Sequence, residues 1–304
     1  MNERIEATLG RWRRSIDAEL ERVAAAGEAN PGGGDQLPAR LRDAIHYSLT
    51  GEGKRLRGLL LMASYDALDG PGDPSGIAAA VEVVHAYSLV HDDLPCMDND
   101  SIRRGRPTTH RAFDIATATV AGVTMVPLAV SQTLRAARAL NLDDATGANL
   151  VGVLMRASGA AGMVGGQLMD LEGEGRPLSV EELESVHRSK TGALIAAAFT
   201  MGGIAAGGDQ AAVSALTSAG AALGLAFQIA DDVLDATESS EVLGKTAGLD
   251  AALSKSTYAS ILGVAAARRR GESLVADAMA RLDSAGLRTP LLEQLAHFVA
   301  ARRS

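Results

Sequence analysis

The sequence predicts an all-α protein of roughly ten helices. Alanine and leucine dominate, aromatic residues make up only 3% of the chain, and runs rich in β-branched residues are scarce, all of which disfavours sheets. Apolar residues instead recur at helical spacing in many segments. Capping and breaking residues fall where those segments start and stop.

In chain order, the first helical pattern runs from Ile5 to Ala25. It mixes acids with bases from the start, unlike a signal peptide or an acid-poor transit sequence, and NPGGG follows it. Leu56 to Leu68 comes next and is broken at Gly70-Pro71. Ile77 to Val90 and Leu150 to Leu171 are further helices. Val180 to Ile204 opens with Ser179 and, three residues on, Glu182, the spacing of a capping box. Gly207-Gly208-Asp209 separates it from Ala211 to Leu234. Thr191 to Gly208 carries no charge, but its many Ala and Gly residues make it only weakly hydrophobic. It reads as a buried core helix and not as a membrane span. The glycine and proline stretches are short enough to be loops, so residues 1–304 read as one domain.

With 304 residues, 47% of them hydrophobic and 22% charged, the composition is that of a soluble globular protein. A net charge of −8 argues against a nucleic-acid partner. The single cysteine, Cys96, excludes an internal disulfide framework and points to a reducing, cytoplasmic compartment.

Chemistry concentrates in two acidic clusters. His91 to Asp100 reads HDDLPCMDND, with four acids within nine positions at the end of an apolar helix. Two such charges about 4 Å apart repel by roughly 4 kcal/mol at an effective dielectric near 20, so the cluster calls for a cation, a shared proton or open water. Pro95 should stop or distort the helix and let Asp98 swing back beside Asp92. The second cluster is FQIADDVLD, Phe227 to Asp235. Asp231 and Asp235 project from one helical face, with Asp232 about 100° to the side. Because these acids lie at the distal end of their helix, the dipole does not favour them. Two such clusters suit Mg²⁺, which takes one or two carboxylates together with substrate phosphate oxygens and water.

Basic residues supply the complement. Lys54, Arg55 and Arg57 follow a glycine turn, and SIRRGRP follows the first acids. Such residues grip phosphates, arginine by its fork and lysine as a point charge. Lys190 and Thr191 open the uncharged helix, while Lys245 and Lys255 sit in loop-like stretches after the second cluster. His85 and His91 have no histidine or cysteine at zinc spacing, and acids beside Cys96 disfavour its thiolate.

GEGKRLRG, HAYSLVHDDLPCMDNDSIRRGRPTTH, GMVGGQLMDL, HRSKTGALI, FQIADDVLD and GKTAGLDAALSKSTYASILG, in that order from Gly51 to Gly263, resemble the trans-isoprenyl diphosphate synthases, most closely their bacterial C15-forming members. The resemblance implies the isoprenoid synthase fold, a helical bundle around a central cavity, usually as a homodimer. It also implies Mg²⁺-assisted ionisation of an allylic diphosphate, head-to-tail attack by isopentenyl diphosphate and loss of a proton, with Mn²⁺ as a substitute metal. Asp92, Asp93, Asp98, Asp231, Asp232 and Asp235 match the metal-binding positions, which in this family hold three ions with substrate bound. Arg103, Lys190, Thr191, Gln228, Lys245 and Lys255 match the allylic diphosphate site. Gly53, Lys54, Arg57, His85 and Arg104 match the isopentenyl diphosphate site, and Phe227 and Gln167 the pocket lining. Asp92, Asp93, Asp98, Arg103, Lys190, Asp231 and Lys245 carry the catalytic step.

Some positions depart from the family pattern. Gly51-Glu52-Gly53 and Gly58 stand where GGKRLRP is usual, Val123 where an aspartate is expected, and Leu249 and Ser254 in place of the usual residues after Lys245. Val123 and Glu52 support an alternative, a weakly active regulatory paralogue. Tyr87, five residues before Asp92, with Ser88 beside it, should block growth of the product early. Farnesyl diphosphate is the expected product, and geranylgeranyl diphosphate the alternative.

Overall fold

The computed structural model describes residues 3–26, 37–237 and 255–301. Helices dominate, and the only sheet among the described residues is a two-residue pair of strands. The chain forms two compact units, residues 1–62 with 71–151, and residues 63–70 with 152–304.

In the first unit, α1 (Glu3–Ala26), α2 (Ala39–Leu49) and α6 (Ile115–Ala139) pack against α4 (Ser75–Asp92). Every residue from Ile77 to Val84 on α4 is buried, as expected of a helix without a polar face. The exception in kind is Glu82, whose carboxylate accepts the Gly58 N–H at 2.8 Å from α3 (Leu56–Asp66). The strands β1 (Ile102–Arg103) and β2 (Arg106–Pro107) lead into the single turn α5 (Thr109–Ala112). This hairpin was not foreseen from composition. Its two central residues, Arg104 and Gly105, both have positive φ, the requirement of a tight hairpin turn.

The second unit is built on α11 (Gln210–Thr237), which packs against α10 (Ala193–Ala205) and, in the C-terminal part, α13 (Val264–Ser284) and α14 (Pro290–Ala301). The expected helix from Leu150 to Leu171 is two helices, α7 (Asp144–Ser158) and α8 (Met163–Glu172). Between them the chain folds back so tightly that a Cβ at Gly162 would lie 2.1 Å from the Ala157 carbonyl oxygen. The expected helix from Val180 to Ile204 contains α9 (Val180–His187), whose Ser179–Glu182 capping box is formed, and α10. One π turn, Arg188–Gly192, joins the two. The short helix α12 (Tyr258–Leu262) precedes α13.

By length and composition, α6 and α11 could each cross a membrane. Half of the most apolar window of α11 is buried inside the protein, and a third of that of α6.

Candidate active site

In the first unit, α4 ends at Asp92, and the chain turns through Pro95 until the Asp98 N–H donates to the Asp92 carbonyl at 2.8 Å. Asp92 and Asp98 are thereby brought to one end of α4, both half-buried. Asp93 turns the other way. It is 3% exposed, and its Oδ1 accepts from Arg103 Nε at 2.6 Å, with Arg103 Nη2 at 2.5 Å. Arg103 also reaches Asp100 at 3.4 Å. Burial, with Asp100 and Asp98 nearby, raises the Asp93 carboxyl above its ordinary pKa against the pull of Arg103.

The hairpin turn sends the neighbouring Arg104 to the glycine loop, where its Nη1 donates to the Glu52 carbonyl at 2.9 Å. A Cβ at Gly53 would lie 2.8 Å from the tip of that guanidinium, so a side chain there would make Arg104 shift. Arg55, held at φ +49, anchors the same loop to α1 through Asp17 Oδ1 at 2.7 Å and to the Gly51 carbonyl at 2.8 Å. Lys54 and Glu52 are exposed. Burial pulls the Arg57 guanidinium down to about 10, with Glu82 opposing and Arg104 adding to the shift. It remains charged at neutral pH, and its buried Nε has no hydrogen-bond partner. Burial and the surrounding Arg57, Arg104, Arg103 and Arg55 hold His85 well below its ordinary pKa, so its imidazole is neutral. Gly58 explains one departure from the family pattern, since a proline there could not donate to Glu82.

Tyr87 is half-buried, its ring edge-on to His91 with centroids 5.1 Å apart. His91 Nε2 donates to the Thr119 carbonyl of α6 at 3.0 Å, and a Cβ at Gly122 would meet that nitrogen at 2.2 Å. The close approach of α4 and α6 therefore braces the Tyr87 ring through His91. The Ser88 hydroxyl bonds back to the His85 carbonyl.

In the second unit, the π turn is pressed onto α8 and α11 by glycines. A Cβ at Gly166 would lie 2.2 Å from the Lys190 nitrogen, and one at Gly224 2.7 Å from Gly192 Cα. Single π turns of this kind recur at functional sites. Thr191 Oγ1 donates to Gln228 Oε1 at 2.9 Å, and Gln228 Nε2 donates to Asp232 Oδ1 at 3.3 Å. Asp232 Oδ2 accepts the Tyr258 N–H at 2.8 Å and faces His187 Nε2 at 3.2 Å. At 4% exposure, Asp232 is occupied by protein donors on both oxygens. Asp231 and Asp235 lie beside it, half-buried. Phe227 is 7% exposed. Gln167 is also buried, and its amide nitrogen and oxygen have no hydrogen-bond partner.

Asp170 was not foreseen. Its Oδ2 accepts from Lys190 Nζ at 2.7 Å and Lys255 Nζ at 3.1 Å. Burial works to raise its pKa, but the two ammonium groups overcome this and hold it below the usual carboxylate range. Its place in GMVGGQLMDL, one helical turn after Gly166, was the available signal. Lys245, Leu249 and Ser254 lie outside the described residues.

Among the described residues, no three histidine, cysteine, aspartate or glutamate side chains are grouped to hold a metal ion by themselves. The candidate ligands are all carboxylates. That donor set fits Mg²⁺, an oxygen-seeking ion that takes few protein ligands and completes its shell with phosphate and water.

The sequence profile of the polyprenyl synthetase family matches residues 38–285. A farnesyl diphosphate synthase of Geobacillus stearothermophilus is 36% identical, covering 98% of each chain. A chloroplast geranylgeranyl pyrophosphate synthase of Arabidopsis thaliana is 39% identical over 88% of this chain and 78% of its own. The crystal structure of a geranyltransferase from Legionella pneumophila superimposes with a TM-score of 0.83 at 32% identity, covering 99% of this chain and 97% of that one. An all-α fold with aspartate clusters and basic side chains defines the class of the isoprenyl diphosphate synthases. The chain belongs to the polyprenyl synthetase family and is a short-chain prenyltransferase, Mg²⁺-dependent as that family is in general.

Proposed function

We propose that the chain condenses isopentenyl diphosphate with dimethylallyl or geranyl diphosphate and releases farnesyl diphosphate, residues 1–304 acting as one cytoplasmic synthase domain. The observation that carries this reading is the division of labour within each aspartate cluster. In each, the second acid is buried against protein donors, which leaves Asp92 and Asp98, and Asp231 and Asp235, as the half-buried acids. These four are the metal ligands in this reading, and Asp93 and Asp232 support them from behind. Mg²⁺, as three ions or with Mn²⁺ in its place, supplies charge that stabilises the departing pyrophosphate.

The chain's own groups bind and orient. Gly53, Lys54, Arg57, His85 and Arg104 receive isopentenyl diphosphate, with neutral His85 able to accept or donate a hydrogen bond among arginines. Arg103, Lys190, Thr191, Gln228, Lys245 and Lys255 receive the allylic diphosphate. Gln167 and Phe227 line the pocket. No protein nucleophile is needed, because electrostatic stabilisation of the leaving group drives ionisation. The braced Tyr87 ring, with Ser88 beside it, favours the C15 product. A C20 product has the similarity to the Arabidopsis protein on its side. The regulatory-paralogue reading loses support, since Val123 is on the exposed face of α6 and Glu52 is exposed. That face, with Ala116, Val120, Val123 and Pro127 at helical spacing, supports a homodimer.

Pyrophosphate release measured with geranyl diphosphate alone, and again with isopentenyl diphosphate added, tests the reaction. Release only with both substrates is expected. Release from geranyl diphosphate alone, or none in either case, contradicts it.

A further inference from the structure

We infer that Asp170 is a positioning residue of the prenyl transfer site, holding the ammonium groups of Lys190 and Lys255 as one oriented cationic pair. The inference rests on the reading of these lysines as ligands of the allylic diphosphate. Gly166 and Asp170 lie one turn apart on the same face of α8. The missing side chain at Gly166 lets the Lys190 backbone press against the helix, which puts the Lys190 ammonium within 2.7 Å of Asp170 one turn further on. Lys255 reaches the same carboxylate oxygen at 3.1 Å and Glu174 Oε1 at 3.3 Å.

Two ammonium groups sharing one oxygen stand less than about 6 Å apart and repel, and the acid between them offsets that repulsion. The acid thus fixes the direction of two long, flexible stems. Replacing Asp170 by Asn has two opposing electrostatic effects. Uncompensated positive charge attracts a diphosphate, whereas repulsion and rotamer freedom displace the lysines. With the side chains of Lys190 and Lys255 only 25% and 11% exposed, solvent cannot replace the lost carboxylate fully, and displacement dominates.

Steady-state kinetics on the purified full chain with Mg²⁺ test this. Asp170→Asn should raise KM for geranyl diphosphate by about tenfold, the scale of one charged hydrogen bond, and leave KM for isopentenyl diphosphate within about twofold. Asp170→Glu should recover part of the loss. In a Lys190→Ala, Lys255→Ala background, Asp170→Asn should add nothing, because the groups it orients are gone. An unchanged or lowered KM for geranyl diphosphate, equal increases in both KM values, or a full additional loss in the lysine-free background would overturn the inference. Should Asp170→Asn not fold, the two lysine variants decide: non-additive KM increases are expected, and strict additivity overturns it. A wild-type chain that does not turn over geranyl diphosphate overturns the underlying substrate reading instead.

Discussion

Asp93 and Asp232 are buried, whereas Asp92, Asp98, Asp231 and Asp235 are half-buried, and this separates chemistry from support at the scale of single residues. Asp232→Asn should lower thermal stability by roughly 1.5–3 kcal/mol, because an amide cannot accept from Tyr258, Gln228 and His187 on both sides. Asp231→Asn, on the half-buried side of the cluster, should cost less stability than Asp232→Asn while turnover falls, and calorimetry beside steady-state assays separates the two. At Tyr87, replacement by Ala removes the braced ring and should shift product from C15 toward C20, read by sizing the dephosphorylated alcohols. His85 makes stability depend on pH. Its folded pKa lies below its unfolded value of about 6.5, so the unfolded state binds the proton more readily. Its contribution to stability is present above that value and is lost as pH falls below it. His85→Gln should flatten the decline in melting temperature between about pH 7 and pH 5.5.

At the scale of elements, the glycines decide the geometry. Gly166→Ala puts a methyl 2.2 Å from the Lys190 nitrogen, backbone that cannot rotate away, and should cost on the order of 1–3 kcal/mol. It should also raise KM for geranyl diphosphate, a paired effect that a melt and a kinetic series would detect together. Periodicity made the long helices legible, since apolar spacing is a local property. It did not reveal the break between α7 and α8 or the π turn before α10, because both depend on backbone meeting backbone across elements. The same limit applies to the clusters. The i, i+4 spacing of Asp231 and Asp235 placed them on one face, with Asp232 to the side. That Asp232 faces inward depends on His187, 45 residues earlier, and on Tyr258, 26 residues later. Asp170 escaped notice for the same reason, as its lysines lie 20 and 85 residues away.

At the scale of the whole molecule, family membership was legible from ordered motifs, because diphosphate chemistry fixes acids, bases and glycines at definite spacings. The departures at Glu52, Gly58 and Val123 became interpretable only with burial and hydrogen bonding in hand. Val120→Asp with Val123→Asp should convert a dimer into monomers, visible by sedimentation, if the exposed face of α6 is the subunit contact. Above all, the chain should couple two diphosphate substrates and stop at C15. Incubating purified protein and Mg²⁺ with labelled isopentenyl diphosphate and dimethylallyl diphosphate, then sizing the dephosphorylated alcohols, tests it most directly. Farnesol as the dominant alcohol is the predicted result, and a dominant C20 alcohol or no elongation at all would contradict it.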